Sequence, residues 1–251
     1  MGEFNILSID FDYFQIVDEM TIAAHYPDGH DFNTSLSSMI WSTHYANERL
    51  EKELLKVKVD RAAIGKVKTV LKFNRDRCQA NMIANSHVYM NQLLEMLSKK
   101  ASGFTIYNLD MHHDMFDTEI ENGVVSCKCD LNCGNWASYA KKNFGAKIVW
   151  IKNKLSDSLF PSELPDEQTI DLNVLDGVPF DAVFLCRSDQ WVPPHLDSHF
   201  DKLKNYMRND LYESTFMDPQ VDQPRDIANQ VKELRATYKS MNLDFMKSLK
   251  S

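Results

Sequence analysis

Two short runs of this chain concentrate side chains that bind cations. Ser8-Ile9-Asp10-Phe11-Asp12 carries two carboxylates spaced two apart, and Asp110-Met111-His112-His113-Asp114 carries two more with imidazoles between them. In extended backbone, residues two apart face the same way. Asp10 and Asp12 are therefore expected to converge, as are Asp110, His112 and Asp114. Four carboxylates in one crevice repel and raise one another's pKa, and one or two divalent cations would remove that cost. A lone Asp more often serves a turn, but both of these runs directly follow apolar segments. The same alternation points His113 away from His112, behind the ligands or toward solvent.

The segments that must position these groups are short and apolar: residues 4–9 (FNILSI), 104–109 (FTIYNL), 147–151 (KIVWI) and 182–186 (AVFLC). None alternates cleanly, the pattern of strands buried on both faces in a helix-covered parallel sheet. Helices are expected over 87–97 behind an Asn85-Ser86 cap, over 135–144 up to Gly145, over 41–57, and after Pro224. Alternating strands and helices predict one α/β domain over residues 1–251, a three-layer, open, mostly parallel sheet flanked by helices. Ligands of such sheets bind beyond the carboxyl ends of the strands, where both acidic runs and Arg187-Ser188-Asp189 lie.

The chain has 251 residues, with 28 Lys and Arg against 36 Asp and Glu, a formal charge of −8. That balance argues against gripping phosphate backbones, so no nucleic-acid partner is expected. No apolar run approaches the roughly 18 residues of a membrane span. The start, MGEFNILSIDFDYF, is not built like a signal peptide, and a cytoplasmic protein is expected. Five cysteines, an odd number, suggest reduced thiols rather than a disulfide framework. Cys127-x-Cys129-x3-Cys133 lacks an evident fourth ligand for structural zinc.

Asp110-x-His112-x-Asp114 resembles the DxHxD signature of the arginase/agmatinase (ureohydrolase) superfamily, and Ser8-x-Asp10-x-Asp12 resembles its SxDxD signature. Asn85-Ser86-His87 is similar to the family's further histidine at a helix start. The resemblance implies a binuclear site in which Asp10 and Asp110 bridge, His87 and Asp114 complete one shell, and His112 and Asp12 complete the other. Two departures stand out. SxDxD precedes DxHxD, as in a circularly permuted arginase/deacetylase-like fold, and the loop after Asp114 lacks the pattern that holds free arginine. Both departures resemble the peptide arginases, which convert arginine to ornithine within ribosomally made peptides. Cys133-Gly134-Asn135-Trp136 and Ser188-Asp189-Gln190-Trp191-Val192-Pro193 are similar to segments of that group.

Four carboxylates and two imidazoles make a hard shell without thiolate, which suits two Mn²⁺ per chain. A metal pair acidifies a shared water to near neutrality, and the resemblance implies its attack on a guanidinium carbon, releasing urea. Asp114 is the expected proton shuttle. Asp189, ending the fourth strand, is the expected carboxylate partner of the substrate cation, unless it only serves the turn before Pro193. Asn135 is a candidate substrate contact or a helix cap. Trp136 and Trp191 are candidate walls of an arginine slot, or core. The expected partner is an arginine-containing precursor peptide. The alternatives are a ureohydrolase of free arginine or another small guanidino compound, a one-zinc deacetylase-type amide hydrolase, and a non-catalytic metal-containing module that binds basic peptides.

Overall fold

The apolar run at the start of the chain has no polar side because both of its faces are covered. In β1 (Gly2–Asp10), Leu7 and Ile9 enter a core with Trp41, Val67 and Phe200, while Phe4 and Ile6 enter a second core with Leu93, Leu94 and Trp136. Each fully buried aliphatic side chain contributes about 1.5–3 kcal/mol, so from Ile6 onward neither parity tolerates a polar residue without a partner. Ser8 is the first polar residue on its face, and its hydroxyl is used in the site.

The computed structural model describes residues 2–27, 34–207 and 215–248. After β1 come β2 (Gln15–Ile16), β3 (Lys58–Val59), β4 (Ala80–Ala84), β5 (Ala101–Asp110), β6 (Thr118–Glu121), β7 (Val124–Cys127), β8 (Lys147–Lys152), β9 (Glu167–Thr169), β10 (Ala182–Cys186) and β11 (Thr215–Met217). The helices are α1 (Glu19–His25), α2 (Thr34–Ala46), α3 (Glu48–Leu54), α4 (Arg61–Asn74), α5 (Met90–Leu97), α6 (Trp136–Phe144), α7 (Ser156–Leu159), α8 (Asp197–Met207) and α9 (Ala228–Ser248).

Seven strands form one sheet in the order β11-β4-β10-β1-β5-β8-β9, and every neighbouring pair is parallel. Buried residues of α5 and α6 cover one face, and those of α2, α4 and α8 cover the other. The protein is thus a three-layer α/β structure. After β1 the chain crosses to β4, then to β5 on the opposite side of β1. That reversal leaves a crevice at the carboxyl ends of the central strands. Among the described residues no helix is long and apolar enough to cross a membrane.

Three strands of the seven-stranded sheet escape the sequence reading, as do the short pairs β2–β3 and β6–β7 outside it. β4 (ANMIA) is interrupted by Asn81, and β9 and β11 are three-residue edge strands with little apolar signal. The helix expected over 41–57 is broken at Asn47. That residue is extended, and its side-chain carbonyl accepts from the Arg49 and Leu50 N–H groups, capping α3. The helix expected over 87–97 begins as a 3₁₀ turn, His87–Tyr89, with Ser86 Oγ accepting from Val88 N–H at 3.3 Å. Gly145 ends α6 at a left-handed φ of 62°, a conformation glycine adopts without steric cost.

Candidate metal centre

The two acidic runs converge through side-chain turns. Asp10 Oδ1 accepts from the Asp12 N–H at 3.0 Å, and Asp110 Oδ1 accepts from the His112 N–H at 2.7 Å. The extended alternation expected from the sequence therefore stops at Asp10 and at Asp110, and each run bends back over the end of its own strand. Asp12 lies in a 3₁₀ turn, Phe11–Phe14, and Asp114 takes a left-handed φ of 51°. Such backbone is uncommon outside glycine and is held here by what Asp114 touches.

His87 Nδ1 lies 3.1 Å from Asp10 Oδ2, 3.3 Å from Asp110 Oδ2 and 3.2 Å from Asp114 Oδ2. His112 Nδ1 lies 2.9 Å from Asp12 Oδ2 and 3.5 Å from Asp110 Oδ1. Asp110 thus presents one oxygen to each imidazole and joins two ligand sets. All six side chains expected to bind metal meet here, none more than 6% exposed.

A further layer orients them. Ser8 Oγ is 2.7 Å from His87 Nε2, and the His87 ring is stacked between Trp136 and Phe184, with centroids 4.8 and 5.2 Å away. Trp136 Nε1 donates to Asp114 Oδ2, and Asn108 Nδ2 donates to Asp110 Oδ2 at 3.2 Å. The Met111 N–H donates to Asp12 Oδ1 at 3.2 Å. Ser188 Oγ donates to Asp10 Oδ2 at 2.8 Å from a residue with φ 55°.

The electrostatics match a centre awaiting positive charge. Burial, then the charges of Asp10 and Asp110, push the Asp12 carboxyl well above its ordinary range. Burial and the charge of Asp110 raise Asp114 to about 6. Burial alone would lower both imidazoles. For His87 it is outweighed by hydrogen bonds to Asp10, Asp110 and Asp114, and for His112 by the charge of Asp12 and hydrogen bonds to Asp110 and Asp12, so both are held well above the ordinary histidine value. His112 Nε2 is buried without a hydrogen-bond partner, and such an atom costs about 1–3 kcal/mol. Four carboxylates, two imidazoles and the unpartnered His112 Nε2 fit a pair of divalent cations.

Above this floor opens a cleft of about 290 Å³, walled by Phe116, Asn132, Cys133, Phe160, Gln190 and Trp191. Phe160 and Trp191 flank the His112 ring, with centroids 4.3 and 4.5 Å away. Gln190 is 2% exposed; its Nε2 donates to Cys133 Sγ at 3.4 Å and its Oε1 has no partner. A larger hollow of about 540 Å³, lined in part by Tyr13, Lys152 and Lys154, includes none of the six ligand residues.

Three expected substrate contacts are placed elsewhere. Asp189 is fully buried, and its carboxylate accepts from Arg187 Nε, from Arg187 Nη2 at 3.0 Å and from Thr34 Oγ1 at 2.7 Å, with Arg225 Nε 3.9 Å away. Burial raises its pKa, but the charge of Arg225 and the hydrogen bond of Arg187 outweigh that and hold it below the usual range. It is consumed by internal cations and absent from the cleft lining. Trp136, fully buried, supports His87 and Asp114 rather than walling a slot.

Asn135 neither caps α6 through its side chain nor lines the cleft. Its Oδ1 accepts from the Asn132 N–H at 2.8 Å, and its Nδ2 donates to the Asp130 carbonyl at 3.0 Å, which clasps the preceding loop. Trp191 does line the cleft. His113 is buried, accepts from the Met115 N–H at 2.9 Å and is lowered by burial to about 4. It is no solvent-facing group. Among the described residues no potential metal set includes Cys127, Cys129 or Cys133.

The sequence reading missed Ser188 as a support, Phe116, Phe160 and Gln190 as walls, and Cys186 as a neighbour of the ligands. Cys186 ends a strand just as Asp10 and Asp110 do, and that position was the available signal. Phe160 arrives from a loop with no such signal. Comparison of the chain with protein-family models, with curated proteins and with solved structures finds no match.

Proposed function

We propose that this protein is a binuclear metal hydrolase that removes urea from arginine side chains of a peptide and leaves ornithine, built on a permuted arginase-like fold. The observation that carries this reading is Asp110, which faces His87 with one oxygen and His112 with the other at the floor of a cleft. Asp10, His87, Asp110 and Asp114 would hold one ion, and Asp12, Asp110 and His112 the second; of the two expected bridges, Asp110 lies in a set with each imidazole, whereas Asp10 lies in one with His87. Bound divalent ions, Mn²⁺ best suited to this oxygen-rich shell, supply acidified water at neutral pH and offset the four acids.

The chain's own residues do the rest. Trp191 and Phe160 present aromatic faces to a planar cation, and Gln190 Oε1 offers an acceptor to its N–H groups. Water oxygen joins the guanidinium carbon, and the bond from that carbon to the side-chain nitrogen then breaks. Asp114, at the cleft floor beside His87, carries the proton that the departing amine needs. Trp136 Nε1 holds the same carboxylate in place.

A peptide is favoured over free arginine by what the cleft lacks. No Lys or Arg is found among the described residues that line it, so no side-chain ammonium or guanidinium there would pair a free α-carboxylate. Asp117 at its wall adds a negative charge that the bound ions do not offset, which suits a cation without a nearby anion.

The test is incubation of Mn²⁺-loaded protein with an arginine-containing peptide, with free arginine and with agmatine. The reading expects urea and a peptide lighter by urea minus water, with little turnover of free arginine. An unchanged peptide alongside hydrolysed free arginine would overturn it.

A further inference from the structure

The two ligand sets are unequal in a way that the acids and histidines alone do not show. Cys186 closes β10, paired in register with Asp10 on one side and with Ala84, the last residue of β4, on the other. In a parallel pair such partners share a face, so its side chain stands beside Asp10. The thiol is fully buried, and one ligand atom each from Asp10, His87 and Cys186 lie within 4.8 Å of one another. The set around His112 comprises Asp12 and Asp110 and contains no sulfur. Of the five cysteines, Cys186 is the one in such a set among the described residues.

We infer that Cys186 is a thiolate donor to the ion held by Asp10 and His87, which makes the centre chemically asymmetric. This rests on the metal-centre reading above and goes beyond it. A sulfur ligand shifts the His87 side toward thiophilic ions such as Zn²⁺, Co²⁺ or Cd²⁺, while the oxygen and nitrogen set around His112 keeps its preference for Mn²⁺. As the sulfur–metal bond forms, the thiol proton leaves to solvent, with no change of oxidation state. A buried cysteine that only fills space would behave as a small apolar residue and would make no such bond.

The experiment is a Co²⁺ titration of the metal-free, full-length protein under reducing conditions, followed by absorbance. The inference expects a near-ultraviolet sulfur-to-cobalt charge-transfer band that saturates at one equivalent, while the visible cobalt bands continue to a second. Cys186→Ala and Cys186→Ser lose the charge-transfer band and keep visible cobalt bands, and Cys133→Ala keeps both. Cobalt bound by the natural chain without a charge-transfer band would overturn the thiolate and leave the binuclear reading standing. Persistence of the band in Cys186→Ser would also overturn it. Failure of the natural chain to bind cobalt at all would remove both the thiolate and the centre. Where a Cys186 variant fails to fold, absence of the band from the natural chain still overturns the thiolate, and Cys133→Ala still tells whether the cleft cysteine carries it.

Discussion

Ser188 Oγ donates to Asp10 Oδ2 at 2.8 Å, linking residues 178 positions apart in the chain. The donor has a φ of 55°, and its two neighbours, Arg187 and Asp189, are locked together by a buried ion pair. The carboxyl end of β10 thus aims a hydroxyl at a proposed metal ligand of β1. Groups that orient metal ligands typically contribute 10–100-fold to affinity. Ser188→Ala is predicted to weaken Mn²⁺ binding by at least about tenfold on that basis, measured by calorimetric titration. Ser188→Gly suits the left-handed backbone and likewise lacks the hydroxyl, so it should bind as weakly as Ser188→Ala. Undiminished affinity in both variants would deny Ser188 its role.

Asp189 is predicted to matter for stability rather than for substrate. Removing it leaves Arg187 and Arg225 buried against each other, and breaking a buried pair costs about 3–5 kcal/mol. Asp189→Ala should lower the denaturation midpoint accordingly. Its folded pKa is depressed, so its contribution is complete above the unfolded carboxyl value of about 3.9 and is lost as pH falls through the lower folded value. Chemical denaturation across that acid range, natural chain against variant, reads the difference. A variant of unchanged stability that binds substrate poorly would restore Asp189 to the cleft.

The metal-free protein is predicted to lose stability as pH rises. His87 and His112 have raised folded pKa values, so the stability they bring is fully present below the unfolded value of about 6.5 and disappears as pH climbs through the folded values. Asp12 and Asp114, also raised, act in the same direction because the folded state holds their protons longer. Bound Mn²⁺ replaces the imidazolium charge. Thermal melts of chelator-treated protein should fall steadily above neutrality, and melts with Mn²⁺ should stay level. Parallel curves would contradict a cation site.

Trp191 and Gln190 are predicted to act on substrate binding. A partly desolvated cation–π contact is worth about 0.5–2 kcal/mol, so Trp191→Ala should raise KM roughly two- to thirtyfold by the usual conversion of free energy to affinity. Gln190→Leu keeps the volume and removes the acceptor, and should raise KM while leaving metal content unchanged. Steady-state urea release with an arginine peptide measures both. Loss of metal in either variant would move that residue from the slot into the centre.

The class of sheet was readable because parallel strands buried on both faces leave continuous apolar runs, and the residues ending those runs had to lie at the crevice. That logic located Asp10, Asp12, Asp110, His112 and Asp114, whereas His87 came only from the resemblance of Asn85-Ser86-His87 to a family motif. It failed where side chains compete for one another. Nothing local in Arg187-Ser188-Asp189 says that Asp189 will turn to Arg187 and Arg225 while Ser188 turns to Asp10, since Arg225 comes from 36 residues further along. Trp136 and Trp191 look alike in sequence, yet the buried end of α6 holds one and the cleft wall holds the other. Phe160 and Gln190 depended on loop paths that periodicity does not encode.

The most direct test of the binuclear site is an anomalous difference map from a crystal of the protein soaked in Mn²⁺. The account predicts two peaks on either side of the Asp110 carboxylate, one next to His87 and one next to His112. A map with no peak among Asp10, Asp12, His87, Asp110, His112 and Asp114, or with manganese bound only elsewhere on the molecule, would contradict it.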